Sequence, residues 1–504
     1  MATARARTAL LTATVLLVAA ACTVPVSTPS PAEPTRGSPA PRTGAPAEAT
    51  SGPPQSERER RTQPLVIVTH MTRPRFDVFE EVALQIIDGS VRTWSELGVP
   101  GVPGVGPEPG AGPTLLRTVS APGTPAPDRF ELGSARAAVR AVVRDRDTVA
   151  VVPASALGPQ VRAMRVNGTS PVRRPGDFPV RTRAAGSTGP VVTMTVVGDV
   201  MLGRGVADAA PGTGGAAPAL APTRRRLARA DVTVGNLEST LSRAGAPTQG
   251  DDSFAAGPRV VRGLRASGFD VLGLANNHLG DFGPTALVRT VQRLRDRGLG
   301  TFGAGADPRQ AWAPAVLERQ GVRFGFLGFN AIGETPEVGP GRPGAVSVSM
   351  PPRTGPLDRR QLDRFLAAVR HLDRRVDVVV VMPHWGTQYT NQQLPVQSRV
   401  AAELVRAGAD LVVGGHPHWV QGVEVVDGRL VVHSLGNFVF DMDLMPETME
   451  GLLLELTWWG DELKAAELVP YVLDESFAPR VVSFRRGLDV LWRMRATSGT
   501  AYRG

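Results

Sequence analysis

Asp377-Val378-Val379-Val380-Val381-Met382-Pro383-His384-Trp385-Gly386 opens the stretch whose reading decides the fold, and Asp410-Leu411-Val412-Val413-Gly414-Gly415-His416-Pro417-His418 closes it. Each is a short apolar run bounded by Gly or Pro, the pattern of a strand covered on both faces. Residues 394–408 between them carry helical periodicity, so the unit reads strand, helix, strand. In open α/β sheets, ligands sit beyond the carboxyl ends of the strands. His384, His416 and His418 therefore converge on one rim. A lone histidine after a strand is more often structural. Gly-Gly-His-Pro-His differs, because its glycines admit close backbone approach, Pro417 fixes the turn, and two imidazoles bracket it. Imidazole is the commonest protein metal ligand, and the set reads as a metal site.

Working upstream, the same arrangement recurs. Thr193–Val197 runs into Gly198-Asp199-Val200-Met201-Leu202-Gly203-Arg204, and Asp231–Val234 into Gly235-Asn236-Leu237-Glu238-Ser239. Asp270–Leu274 runs into Ala275-Asn276-Asn277-His278-Leu279-Gly280-Asp281, followed by a helix over 284–297 and a hairpin over 314–330. Strand, polar residues, helix is the repeating unit of an α/β fold. Carboxylate, amide oxygen and imidazole together suit a divalent transition metal (Mn, Fe or Zn) rather than calcium. Asp281, three positions after His278, is placed to orient that ring. Arg204 is read either as an anchor for an anionic substrate group or as an ion pair with a carboxylate of its own domain. Trp385 is expected to pack, and Tyr389 to line the pocket. Downstream, residues 451–459 and 465–472 predict a hairpin that completes the sheet, and no function is assigned after about 486.

In order along the chain stand Gly198-Asp199-x-Met201-x-x-Arg204, Asn236-Leu237-Glu238, Asn276-Asn277-His278, His384-Trp385-Gly386, Gly415-His416-Pro417-His418 and Ser434-Leu435-Gly436-Asn437-Phe438-Val439-Phe440-Asp441. Together, over about 190–445, they resemble the bacterial capsule-synthesis protein CapA family, associated with poly-γ-glutamate capsules and similar to calcineurin-like metallophosphoesterases. The resemblance implies an α/β/β/α sandwich. It also implies that Asp199 and His418 serve one metal, that Glu238 takes the bridging position, and that Asn277, His384 and His416 serve a second. His278 would act as general acid near the leaving group. One departure stands out: the phosphoesterase Asp-x-His is Asp199-Val200-Met201 here, so one imidazole is missing and one ion is as compatible as two.

Residues 1–22 read as a targeting segment. Arg5 and Arg7 precede an apolar run, Thr8–Ala21, too short to span a bilayer. Ala19-Ala20-Ala21 leads to Cys22, the single cysteine, and the segment resembles a bacterial lipoprotein signal whose cysteine is lipidated. One cysteine excludes an intrachain disulfide framework. Residues 23–64 are rich in Pro, Thr, Ser and Ala, unable to bury a core, and read as a disordered tether. Residues 65–185 resemble part of a periplasmic solute-binding domain in Gly89-x-x-x-x-Trp94-x-x-Leu97-Gly98 and Val151-x-Pro153-Ala154-Ser155. The stretch is short of two lobes and reads as a smaller α/β accessory domain rather than a working ligand trap.

The 504 residues carry 56 Lys and Arg against 47 Asp and Glu, a formal net charge of +9. That surplus is compatible with an anionic polymer or lipid surface, although drift in composition is the preferred reading. No CxxC pair and no interleaving of Arg with aromatics points to nucleic acid. Two readings follow. One is an extracytoplasmic, lipid-anchored, metal-dependent hydrolase or transferase acting on an anionic envelope polymer or its precursor, alongside membrane partners in capsule synthesis. The other is a non-catalytic polymer-binding or scaffold protein on the same fold.

Overall fold

The computed structural model describes residues 62–97, 115–124, 130–183, 186, 188–209 and 217–503. The targeting segment, Cys22 and the chain up to residue 61 lie outside them. The first strand is Gln63–His70, so the last two residues given to the tether belong to the folded part.

The main sheet of the N-terminal part runs in the order Phe130–Glu131, Arg117–Ser120, Thr148–Pro153, Gln63–His70, Val161–Ala163, with Arg181–Thr182 also pairing Gln63–His70, and Asp77–Val78 and Arg165–Val166 form a separate two-stranded sheet. Helices Glu80–Asp88 and Ala135–Arg144 accompany it. The second helix starts where Ser134 accepts a hydrogen bond from the Ala137 amide at 3.1 Å, satisfying one of the donors that a helix start leaves open. Its apolar core reaches Trp459 of the larger domain, whose indole N–H donates to the Val172 carbonyl at 2.8 Å. Among the described residues there is one such lobe.

The larger domain has two facing sheets. In the first, strands Gly300–Phe302, Val271–Gly273, Val232–Leu237 and Val191–Val200 run parallel. Glu450–Trp459 then pairs antiparallel to Val191–Val200, with Glu462–Leu473 beyond it. The expected hairpin thus lengthens this sheet from the middle outward. The second sheet holds Val322–Asn330, Val378–His384 and Leu411–Val413 in parallel.

Alternation along the strands explains the layering. Val378 and Val380 face the core between the sheets, with Val192, Met194 and Val196 opposite. Val379 and Val381 face the outer core under helices Arg359–Asp373 and Pro395–Arg406. Successive side chains of a strand point to opposite faces, so a run of four valines feeds both layers. The first sheet is covered likewise by Val260–Ala266 and Gly283–Arg295. The result is the α/β/β/α sandwich. Helices Val260–Ala266, Arg359–Asp373 and Phe484–Ala496 were not anticipated from the sequence, and the last of them buries Val490 and Met494 in the core between the sheets.

Candidate metal centre

The parallel strands of both sheets end on the same rim, and the polar residues at their ends meet there. Asp199 lies near the end of Val191–Val200, Glu238 follows Val232–Leu237, and His384 ends Val378–His384. All six residues assigned to metal (Asp199, Glu238, Asn277, His384, His416, His418) are buried. Two groups have ligand atoms within 4.8 Å of one another: Glu238, His384 and His416, and Asp199, Glu238 and His418. Glu238 belongs to both, the placement of a bridging carboxylate.

Three amides hold this arrangement. Asn236 donates to Asp199 Oδ1 at 2.8 Å and to Glu238 Oε2 at 3.2 Å. Asn276 donates to Asn236 Oδ1 at 2.9 Å, and Asn437 Oδ1 lies 2.8 Å from His418 Nδ1. Asn277 Oδ1 lies 2.8 Å from His384 Nε2, so it enters the site beside that ring. Asn236, Asn276 and Asn437 all stand inside the quoted motifs, yet nothing in their spacing distinguished an amide that braces a ligand from one that is a ligand.

The backbone at this rim is bent to fit. His416 has φ 95° and His418 φ 59°, the left-handed region that non-glycine residues rarely enter and that clusters at functional sites. The His416 amide donates to Asp199 Oδ2 at 3.1 Å. Gly415 is required by space: a Cβ there would stand 2.6 Å from Asp199 Oδ1. Gly415→Ala is therefore expected to displace the carboxylate and weaken metal binding about 10–100-fold, the usual cost of disturbing a ligand's support. Metal titration of the folded variant checks it.

The donor set fits a cation. Burial holds His384 down at about 4 and His416 well below the ordinary imidazole value, which keeps both rings neutral, the form that ligates metals. Burial and the neighbouring Asp199 push Glu238 up to about 8. Glu238 Oε1 and His416 Nδ1 are buried without a hydrogen-bond partner. Buried acceptors left unmet are costly, and a divalent ion between them would satisfy both.

His278 and Asp281 lie against each other. His278 Nδ1 lies 2.9 Å from Asp281 Oδ2, and the ring stacks on Phe254 at 3.8 Å. Asp281 is fixed in turn by Gln249 Nε2 and the Phe254 amide, each at 2.6 Å. Gln249 and Phe254 come from a loop without periodicity and gave no signal. For Arg204 the ion-pair alternative describes the structure: its Nη2 and Nε meet Asp441 at 2.6 and 3.1 Å, with the guanidinium over Phe254. Trp385 is fully buried and packs on His433, which pairs with Glu424 away from the metal residues. Tyr389 is 39% exposed and lies against His418. Met201, where the phosphoesterase pattern has histidine, is buried with its sulfur accepting the Gly203 amide.

A family model described as bacterial capsule synthesis protein PGA_cap matches residues 193–442. The chain is similar to a capsule biosynthesis protein CapA of Bacillus anthracis, with 30% identity over 58% of this chain and 70% of that protein. It is also similar to a PGA biosynthesis protein CapA of Bacillus subtilis, with 30% identity over 50% of this chain and 64% of that protein. A solved ABC-type phosphate transport receptor from Vibrio cholerae matches 23% of this chain and 52% of its own, at 12% identity and TM-score 0.18, too slight a likeness to argue from.

Proposed function

We propose, from the premise that this chain belongs to the bacterial capsule synthesis protein (PGA_cap) family, that it acts on an anionic envelope polymer of the poly-γ-glutamate type through a metal-dependent hydrolase or transferase site. The observation that carries this reading is the pair of overlapping ligand groups sharing buried Glu238. A divalent transition ion bound there supplies charge stabilisation at a phosphoryl or acyl oxygen and brings a water toward a nucleophilic state at neutral pH. Asp199, Glu238, His384, His416 and His418 would hold it, with Asn277 beside His384. His278, oriented by Asp281, presents Nε2 toward the site 4.0 Å from Glu238 Oε1, where it can deliver a proton to a leaving group. Arg204 and Asp441 brace the wall behind Phe254. Incubating the purified protein with Mn²⁺ and poly-γ-glutamate or a generic phosphodiester tests this: cleavage abolished by His278→Ala supports it, and no turnover of either substrate overturns it.

A second reading, a non-catalytic polymer-binding scaffold, is favoured by Met201, which replaces an expected imidazole with a buried thioether. Metal retained without turnover is its signature.

The proposed location is the outer face of the cytoplasmic membrane, anchored through lipidated Cys22, with capsule-synthesis membrane proteins as partners. Among the described residues no helix is long and apolar enough to cross a membrane. Stable anchoring takes more than one acyl chain. Cys22→Ala is expected to release the protein from membranes or leave its signal uncleaved, read by fractionation. Unchanged retention with normal processing contradicts the anchor.

A further inference from the structure

A cleft of about 700 Å³ lies between the N-terminal part and the first sheet, lined by nine arginines and two glutamates among the described residues. It is remote from the metal centre. Thr193 and Thr195 border it, whereas Asp199 is at the other end of the same strand, about 20 Å from Thr193 at roughly 3.3 Å per residue.

Its charge is only partly met from within. Glu455 accepts from Arg173 at 3.2 Å and from Arg226 at 2.5 Å, and Glu467 pairs with Arg75. Arg174, Arg225 and Arg229 are exposed on its walls, with no acidic partner among the described residues. Arg162, half-buried in its lining, donates from Nη1 to the Arg73 carbonyl, while its Nε is buried without a hydrogen-bond partner. Burial first, then Arg75, holds that guanidinium down at about 10. Like charges gathered in a concave, partly desolvated space repel one another and favour an anionic occupant.

We propose that this cleft is a second binding site, separate from the metal centre, for a chain bearing repeated carboxylates; this rests on the reading of an anionic polymer as substrate and adds where that polymer is held. The walls already pair guanidinium with carboxylate at Glu455 and Glu467, the planar match that arginine makes bidentately. Arg75, Arg165, Arg173, Arg226 and Arg480 already meet carboxylates, which leaves Arg174, Arg225 and Arg229 as three exposed guanidiniums at separate positions, a spacing that suits repeated carboxylates. Among the described residues no aromatic side chain lines it, so they offer no platform for stacking bases. The metal centre then works on a polymer whose neighbouring segment is held at the far end of the sheet.

Fluorescence anisotropy on the full chain, with labelled poly-glutamate and polyphosphate of equal length, tests this. Three proteins are compared: wild type, the double variant Arg225→Ala with Arg229→Ala, and His416→Ala. Both arginines are exposed, and retained thermal unfolding shows that the double variant folds. The expected result is poly-glutamate binding by wild type, weakened at least about tenfold in the double variant. Its salt dependence should be shallower, and His416→Ala should bind as wild type. Full binding by the double variant, with loss in His416→Ala, overturns the cleft and leaves the substrate reading standing. Preference for polyphosphate overturns the carboxylate assignment. Binding of neither polymer by wild type sinks the substrate reading and the cleft with it.

Discussion

His416→Ala is expected to lose bound metal and any hydrolytic turnover while the fold survives. His416 supplies an imidazole to the group with Glu238 and His384, and its Nδ1 has no other partner. Removing support around a ligand typically costs about 10–100-fold in affinity or activity, so removing the ligand itself costs at least that. The fold should persist because the packing that sets the layers is elsewhere, in the valines and phenylalanines between and outside the sheets. Truncation also removes the ring from a residue held at a left-handed φ of 95°, without adding bulk. Circular dichroism and metal analysis on the same sample read both halves. Wild-type metal content in the variant contradicts the assignment.

Glu238→Gln should reverse its effect on stability according to whether metal is present. In chelator, the folded protein holds the Glu238 carboxyl up at about 8 from an ordinary 4.5, through burial and then the Asp199 charge. A group raised in the folded state contributes stability fully below its unfolded value and loses it as pH rises through its folded value. The metal-free wild type therefore weakens from this group between about 4.5 and 8. Glutamine carries no such titration, so at pH 8 the chelated variant should unfold at a higher temperature than chelated wild type. With Mn²⁺ the order inverts. The ion needs the carboxylate, and saturation at a hundred times Kd adds about 2.7 kcal/mol to a protein that binds it only when folded. The variant, lacking the shared ligand, gains little. Thermal unfolding in chelator and in Mn²⁺, at pH 6 and pH 8, separates the cases. The same ranking with and without metal would rule out Glu238 as a shared ligand.

The site was legible where local sequence forces position. A valine run ending in His384, and another ending in Gly-Gly-His-Pro-His, present their polar residues at strand ends, so His384, His416 and His418 emerged from periodicity and turn chemistry, as did Asp199 after its strand, whereas Glu238 and Asn277 were assigned only through the family resemblance. What escaped depends on pairings across long stretches of chain. Arg204 finds Asp441, and the His278–Asp281 pair is locked by Gln249 and Phe254 from an irregular loop. Neither partner is marked by spacing. The helix Phe484–Ala496 was hidden because its arginines mask the apolar stripe that buries Val490 and Met494. The arginine surplus was visible in composition, but only folding gathers Arg162, Arg173 and Arg226 into one cleft.

Metal content of the purified full chain after repletion and desalting tests the central claim most directly. Two overlapping ligand groups sharing Glu238 predict one or two transition ions per chain, with the ion of the Glu238, His384 and His416 group lost in His416→Ala. Wild type that holds no ion after repletion, with His416→Ala indistinguishable from it, would contradict the metal centre.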